Sequence, residues 1–300
     1  MSTATVDKTG DRDSSIMEGT EPAGAPVDAS TREKRRAERL RLLVQPVVAV
    51  LLAGGVLLWA LVAVDLTATE KATVSVGNIA KLTGQHVWIT FLVTAIILLV
   101  AVPLGTLITR PAFKWMSPFF IGIANIGASA PAIGLLVLYY LAVGSGSGWT
   151  SWLPNGSTLP VGGAVFTGVT WVGVLPIAFY ALLPVLRNTI LGYQEVDATL
   201  IDAGRGQGMS GFGVLRRVEF PLAVPYILAG LRTSLVLAVG TATLCFLVGS
   251  GGLGILIETG YKLSDNVTLV LGAVLAVALA LLIDWLGALA EQFIGPKGLR

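Results

Sequence analysis

The sequence predicts an all-α membrane protein of about six transmembrane helices, and three observations predict it. Only 13% of the chain is charged while 54% is hydrophobic, where an ordinary soluble domain carries roughly 25% charged residues. Of the 38 charged residues, 16 lie within positions 1–41, which leaves 22 for the other 259. So few charges cannot solvate a water-facing surface, but a lipid-facing one needs none. Finally, positions 42–294 contain six apolar stretches, each near the ~20 residues that a helix needs to cross the hydrocarbon core.

Taken in order, residues 1–31 are polar and rich in Ser, Thr, Asp, Gly and Pro. They offer too little apolar surface to offset the entropy of ordering and read as the disordered part of a tail, 1–41. No apolar core follows the first residues, so this is not a cleaved signal peptide. The basic run Arg32, Lys34, Arg35, Arg36, Arg39 and Arg41 then anchors the first span. The spans fall at about 42–64, 87–109, 118–143, 161–186, 222–248 and 267–290. They are continuously apolar and do not alternate, so helices are expected rather than barrel strands. A short tail, 295–300, closes the chain.

Lys and Arg placement sets the expected orientation. With both termini in the cytoplasm of a bacterial cell, the inner segments hold the 32–41 cluster, Arg110, Lys114, Arg187, Arg205, Arg216, Arg217, Lys297 and Arg300. The outer loops then hold only Lys71, Lys81 and Lys262. Trp59, Trp88, Trp149 and Trp152 fall near outer ends of spans, and 149–160 reads as an outer loop.

Several function classes drop out. A net charge of +2 suggests no nucleic acid. One cysteine, Cys245, and one histidine, His86, make a Cys- or His-based metal centre untenable. The chain contains no G-x-x-x-x-G-K-[ST] phosphate loop. A membrane-embedded enzyme would need clustered His, Asp or Glu, and a secondary transporter would need ionisable groups along its path. The spans offer only Arg232 and Asp284, both near an end. Arg232 either links a cytoplasmic loop to a gate or snorkels to the interface.

One connection stands apart. Residues 187–221, RNTILGYQEVDATLIDAGRGQGMSGFGVLRRVEFP, are too long for a hairpin, and long ordered loops are usually functional. Val196, Leu200 and Ala203 recur at helical spacing before Gly204, Gly206 and Gly208 interrupt. Ser210 can cap a second helix with Phe212, Leu215 and Val218 on one stripe, stopped by Pro221 and Pro225. A helix–turn–helix with a small-residue apex suits insertion into a cleft on a partner.

This loop resembles the EAA loop of ABC importer permeases. That pattern is Glu-Ala-Ala, a glycine four residues on, an apolar residue ten further, and Leu-Pro two beyond. Asp202, Ala203 and Gly204 take the first three places, Gly208 the glycine, Val218 the apolar position, and Phe220-Pro221 the end. Asp for Glu, Gly for Ala, Val for Ile and Phe for Leu are the departures. The resemblance runs from about residue 86 to residue 291. It includes Pro103-Leu104-Gly105, residues 181–189, residues 229–233, Gly240-Thr241-Ala242-Thr243-Leu244 and the Gly249-to-Gly254 run, GSGGLG. Together these are similar to permeases for osmoprotectants: glycine betaine, carnitine, choline and proline betaine.

The resemblance implies a type I ABC importer permease-like fold and a transport subunit, not an enzyme. It also implies that the loop docks on a cytoplasmic ABC ATPase through Leu200, Asp202, Ala203, Gly204, Arg205, Gly208, Met209, Ser210, Phe212 and Pro221. ATP and Mg would be bound by that ATPase, with no cofactor in this chain. The implied partners are the ATPase, an extracytoplasmic substrate-binding protein, a second permease subunit, identical or related, and the lipid bilayer. The pathway and gate candidates are Tyr140, Trp171, Tyr180, Arg232, Gly251 and Gly252. Aromatics within spans (Tyr139 and Phe179 as well) suit a quaternary ammonium through cation–π attraction. Another small solute, an amino acid or a betaine-like thiol compound, remains open at this point.

Overall fold

The computed structural model describes residues 29–63, 66–144 and 168–294. Every regular element among them is helical. The expectations for residues 1–28, for the outer loop 149–160 and for the tail 295–300 lie outside these residues. Residues 29–41, in the N-terminal unit, are already helical; the described residues from 42 onward form one compact unit.

The long helices are α1 (Ala29–Leu58), α3 (Val76–Ile108), α6 (Trp171–Gln194), α9 (Phe220–Ala242) and α11 (Asn266–Ile294). Shorter ones are α2 (Ala68–Thr73), α4 (Ser117–Ser129), α5 (Ala132–Tyr139), α7 (Ala198–Gly206), α8 (Gly211–Val214) and α10 (Gly254–Leu263). Among the described residues, four helices are long and apolar enough to cross a membrane, and up to six spans result if each of two bent pairs counts as one. Their outer faces are apolar, with Leu51 and Leu99 at 68% and 74% exposure, as lipid contact requires.

Both bends have a proline at hand. The third expected span, 118–143, is two helices meeting at 100° rather than one. Pro131 disfavours helical geometry at the preceding residue, and Ala130 is extended there (φ −72°, ψ 142°). The milder bend of 42° falls within α6, where Pro184 has no N–H for the Tyr180 carbonyl. Beside it the Ser234 hydroxyl donates to Ala181 O at 2.6 Å.

Span ends also differ from expectation. Helix α3 begins at Val76, not near 87, because Gln85 and His86 lower the hydropathy there yet are buried and hydrogen-bonded. Helix α6 runs on to Gln194 rather than ending at 186. Arg187 donates to Asn125 Oδ1 at 2.8 Å and Asn188 to Pro184 O at 2.8 Å, so its polar residues are satisfied in place.

The core sits where α3, α6 and α9 meet. Ile89, Val93 and Ile97 share one stripe of α3 and pack with Ala181 and Val185 of α6 and Ala238 and Ala242 of α9. Close approach of α6 and α9 depends on small residues, as in membrane helix packing generally. A Cβ on Gly230 would lie 2.7 Å from Pro184 O, and one on Gly192 would lie 3.0 Å from Ala223 O. A second cluster joins Val56 of α1 and Ala60 of the wide turn that follows it to Ile79 and Leu82 of α3, Leu256 of α10 and Leu271 of α11.

Candidate functional site: a coupling loop and a glycine turn at opposite ends of the spans

The loop after α6 is built from two caps. Asp197 caps α7, its carboxylate accepting the Thr199 N–H at 2.9 Å. That backbone bond holds the exposed Asp197 carboxyl below its usual pKa, with the Thr199 side chain adding to it. At the other end, Met209 N–H reaches Gly204 O at 3.2 Å and Gly208 N–H reaches Arg205 O at 2.9 Å. This pair of bonds is the Schellman arrangement, whose C′ residue must be left-handed. Gly208 is that residue, with φ +80°. The motif's glycine is therefore a helix stop.

Ser210 opens the next turn, accepting the Gly213 N–H at 3.2 Å. The following helix does not stop at Pro221. Helix α8 passes through a wide turn, Leu215–Glu219, directly into α9. Phe220 N–H reaches back five residues to Leu215 O, and such a bulge accommodates a proline that an ordinary turn would exclude. The added residue shifts the helical phase, so the expected stripe of Phe212, Leu215 and Val218 breaks up. Val214 is buried at 1% exposure while Phe212 projects at 71%. Gly204 is the buried point of α7, its side facing Val214 and Val218. Leu200, Asp202, Ala203, Arg205, Ser210 and Pro221 are exposed, Met209 is half-buried, and Asp202 pairs only loosely with Arg205 at 3.8 Å. Leu200 and Phe212 thus present bare apolar surface among polar residues.

An ion pair that the sequence did not single out fastens this loop. Arg110, just beyond α3, meets the buried Glu219 of the wide turn at 2.6 Å. Its guanidinium also lies 5.2 Å from the Tyr193 ring centre and donates to Thr106 O at 3.2 Å. The ends of α3, α6 and α8 thereby converge on one charge. An apolar cavity of about 480 Å³ opens beside it, walled by Pro103, Leu107, Phe212, Leu215 and Phe220.

At the far end of α3, Gly249, Gly251 and Gly252 take positive φ (67°, 75° and 91°). Gly251 and Gly252 are wholly internal, against Gln85 and His86. The residues from Ser250 to Gly254 are all buried, so this is a packed turn and not a surface loop. Ser250 Oγ accepts the Thr170 N–H at 2.9 Å, which ties the turn to the start of α6.

Among the aromatic candidates, Tyr140 is 43% exposed in the wide turn that follows α5, while Trp171 and Tyr180 pack against the core. None of the three lines the apolar cavity beside Arg110. Arg232 proves to be ion-paired. It holds Asp284 of α11 at 2.7 and 3.2 Å and reaches Glu291 at 3.7 Å. Gln45 of α1 donates to the same carboxylate at 2.8 Å. Neither the link nor the snorkelling reading named that partner, although residues 232 and 284 were the two charges noted within spans. Among the described residues no group of three or more His, Cys, Asp or Glu could hold a metal ion.

Comparison with known proteins gives a consistent picture. A family model described as "binding-protein-dependent transport system inner membrane component" matches residues 101–295. The glycine betaine/carnitine/choline transport system permease protein OpuCB of Bacillus subtilis is 35% identical over 224 residues, 75% of this chain and 92% of that protein. The osmoprotectant import permease protein OsmW of Salmonella typhimurium is 35% identical over 227 residues, 75% of this chain and 95% of that one. The choline transport system permease protein OpuBB of Bacillus subtilis is 35% identical over 224 residues, again 75% and 92%. Among solved structures, an inward-facing MetNI methionine ABC transporter chain superposes with a TM-score of 0.59 at 21% identity, covering 77% of this chain and all of that one. That likeness shows a type I ABC importer permease fold. Sequence and fold agree that this integral membrane chain belongs to the binding-protein-dependent transport system inner membrane component family, whose members are transport subunits.

Proposed function

We propose that this chain is the membrane-spanning permease of an ATP-driven importer for quaternary-ammonium compatible solutes such as glycine betaine, carnitine or choline. The single observation that carries the reading is the agreement between the capped loop, with Gly208 as its left-handed stop, and relatives whose names specify those solutes. A separate cytoplasmic ATPase binds and hydrolyses ATP with Mg. An extracytoplasmic binding protein delivers the solute, and a second permease subunit, identical or related, completes the conduit. Both termini lie in the cytoplasm of a bacterial cell.

Leu200 and Phe212 enter the ATPase surface, and the Arg110–Glu219 pair carries its movement into α3 and α9. Closure of the ATPase then biases the permease between inward and outward states through its different fit to each. The pathway runs between α3, α5, α6 and α9, with Tyr140, Trp171 and Tyr180 along it. Arg232 braces its α9 wall, and the turn at Gly251 and Gly252 forms its outer gate.

The test is uptake of labelled glycine betaine, choline and carnitine by vesicles carrying the whole assembly. Replacing Gly208 by Trp should abolish uptake and ATPase co-purification while membrane insertion persists. Uptake that continues with no ATPase partner would sink the reading.

A further inference from the structure

The glycine turn is held by side chains from a different helix, and this has consequences for the transport step. Helix α10 begins after Leu253, whose side chain can provide no cap, and no side-chain cap bond is made there. The two amides just before its first turn are satisfied from α3 instead. Gly252 N–H donates to Gln85 Oε1 at 3.1 Å and Leu253 N–H donates to His86 Nδ1 at 3.3 Å. The other ring nitrogen lies 2.9 Å from Val239 O in α9. A carbonyl can only accept and a backbone N–H can only donate, so the ring is the neutral tautomer with its proton on Nε2. Both side chains are internal, Gln85 at 3% exposure and His86 at 0%.

A hydrogen bond made within one helix holds wherever its neighbours go. One made to a residue 167 positions away holds only while the turn and α3 lie side by side. The geometry leaves little slack: a Cβ on Gly251 would lie 2.5 Å from Gln85 Oε1. Twenty-four residues separate His86 from Arg110, about 36 Å along α3 at ~1.5 Å per residue. The same helix thus leads from the Arg110–Glu219 contact to this clasp.

Resting on the permease reading above, we infer that Gln85 and His86 are positioning residues of the transport step. They clasp the glycine turn in the state where α3 and α10 are apposed, and they release it when that end of the conduit opens. Separation leaves the two amides unpaired, so the clasp biases the conformational equilibrium toward the apposed state. Removing one hydrogen bond from one of two states shifts the balance by roughly fivefold.

The experiment uses the assembled transporter with its ATPase and binding protein in proteoliposomes, reading ATP hydrolysed per glycine betaine imported. Asn places an acceptor where Nδ1 sits, whereas Gln places its amide near Nε2, so the two replacements separate the bonds. His86→Asn should keep a ratio near wild type. His86→Gln should raise ATP use per solute roughly fivefold, through hydrolysis without loaded binding protein. A second pair repeats the comparison: Gln85→Glu retains an acceptor for Gly252 N–H and Gln85→Leu removes it, so one variant's failure to assemble leaves the other pair to decide. Equal ratios within an assembled pair overturn the clasp, as does a fall in melting temperature with an unchanged ratio. A wild-type complex that imports none of the three solutes overturns the function itself, a result distinguishable from the other two.

Discussion

The two ends of α3 hold glycine-dependent structures of opposite character. At the coupling end, Gly208 takes its left-handed φ in open space, with nothing within 4 Å of where a Cβ would sit. Exposed Leu200 and Phe212 flank it, and one ion pair, Arg110–Glu219, ties the region to the spans. At the other end, Gly251 takes a similar φ but is walled in, and Gln85, His86 and Thr170 all bond the turn. The same residue type therefore serves two purposes. One glycine stops a helix at an exposed surface; the other makes room for a buried side chain.

That contrast can be broken at either end. The largest effect is expected from Gly251→Val, which combines a φ of 75° with a Cβ position 2.5 Å from Gln85 Oε1. The strain and overpacking exceed about 3 kcal/mol, so the variant should fail to accumulate as folded protein in the membrane. Next comes Glu219→Gln, which leaves Arg110 without its carboxylate. It should lower stability by roughly 3 kcal/mol, read as a fall in melting temperature that Arg110→Gln largely repairs in the double variant. Gly208→Ala should cost only about 1–2 kcal/mol, the left-handed penalty for a residue with a Cβ, because no neighbour is displaced. Its folded protein should accumulate normally in the membrane but bind the ATPase less tightly. The smallest effect has the opposite sign. Gly204→Ala restores the alanine of the motif, its Cβ meeting Val214, Met209 and Val218 at 3.4–3.7 Å, and should stabilise α7 by up to about 1 kcal/mol. The Asp197 cap bears on pH: its carboxyl titrates below the ordinary value, so its contribution persists at neutral pH and is lost only as acid reaches that lower pKa. ATPase binding measured across neutral pH should show no step from this group.

The coupling loop was legible in the sequence because its chemistry is local. Asp197, Gly208 and Ser210 act on amides or carbonyls within five residues of themselves, and linear spacing records that. Ordinary helical phase sets Phe212, Leu215 and Val218 on one apolar stripe, but the wide turn at Leu215–Glu219 breaks that phase. Span cores were legible as apolar runs, but their ends were not. Gln85, His86, Arg187 and Asn188 look like loop residues until their internal partners are known. The clasp and the Arg110–Glu219 pair join positions more than 100 residues apart, and nothing in a single sequence pairs such residues. One hint was present: the chain's only histidine stands beside a glutamine, in a stretch that the structure places within an apolar helix.

Contact between an ATPase and the loop beyond Gln194, as proposed above, can be trapped directly. Native Cys245 is fully buried, so single cysteines can be introduced at Leu200, Phe212 and the lipid-facing Leu99 and treated with a bifunctional thiol reagent in membranes containing the partner ATPase. The account predicts a permease–ATPase adduct from Leu200→Cys and Phe212→Cys and none from Leu99→Cys. Adducts absent at both loop positions in an assembled, ATP-hydrolysing complex would contradict it.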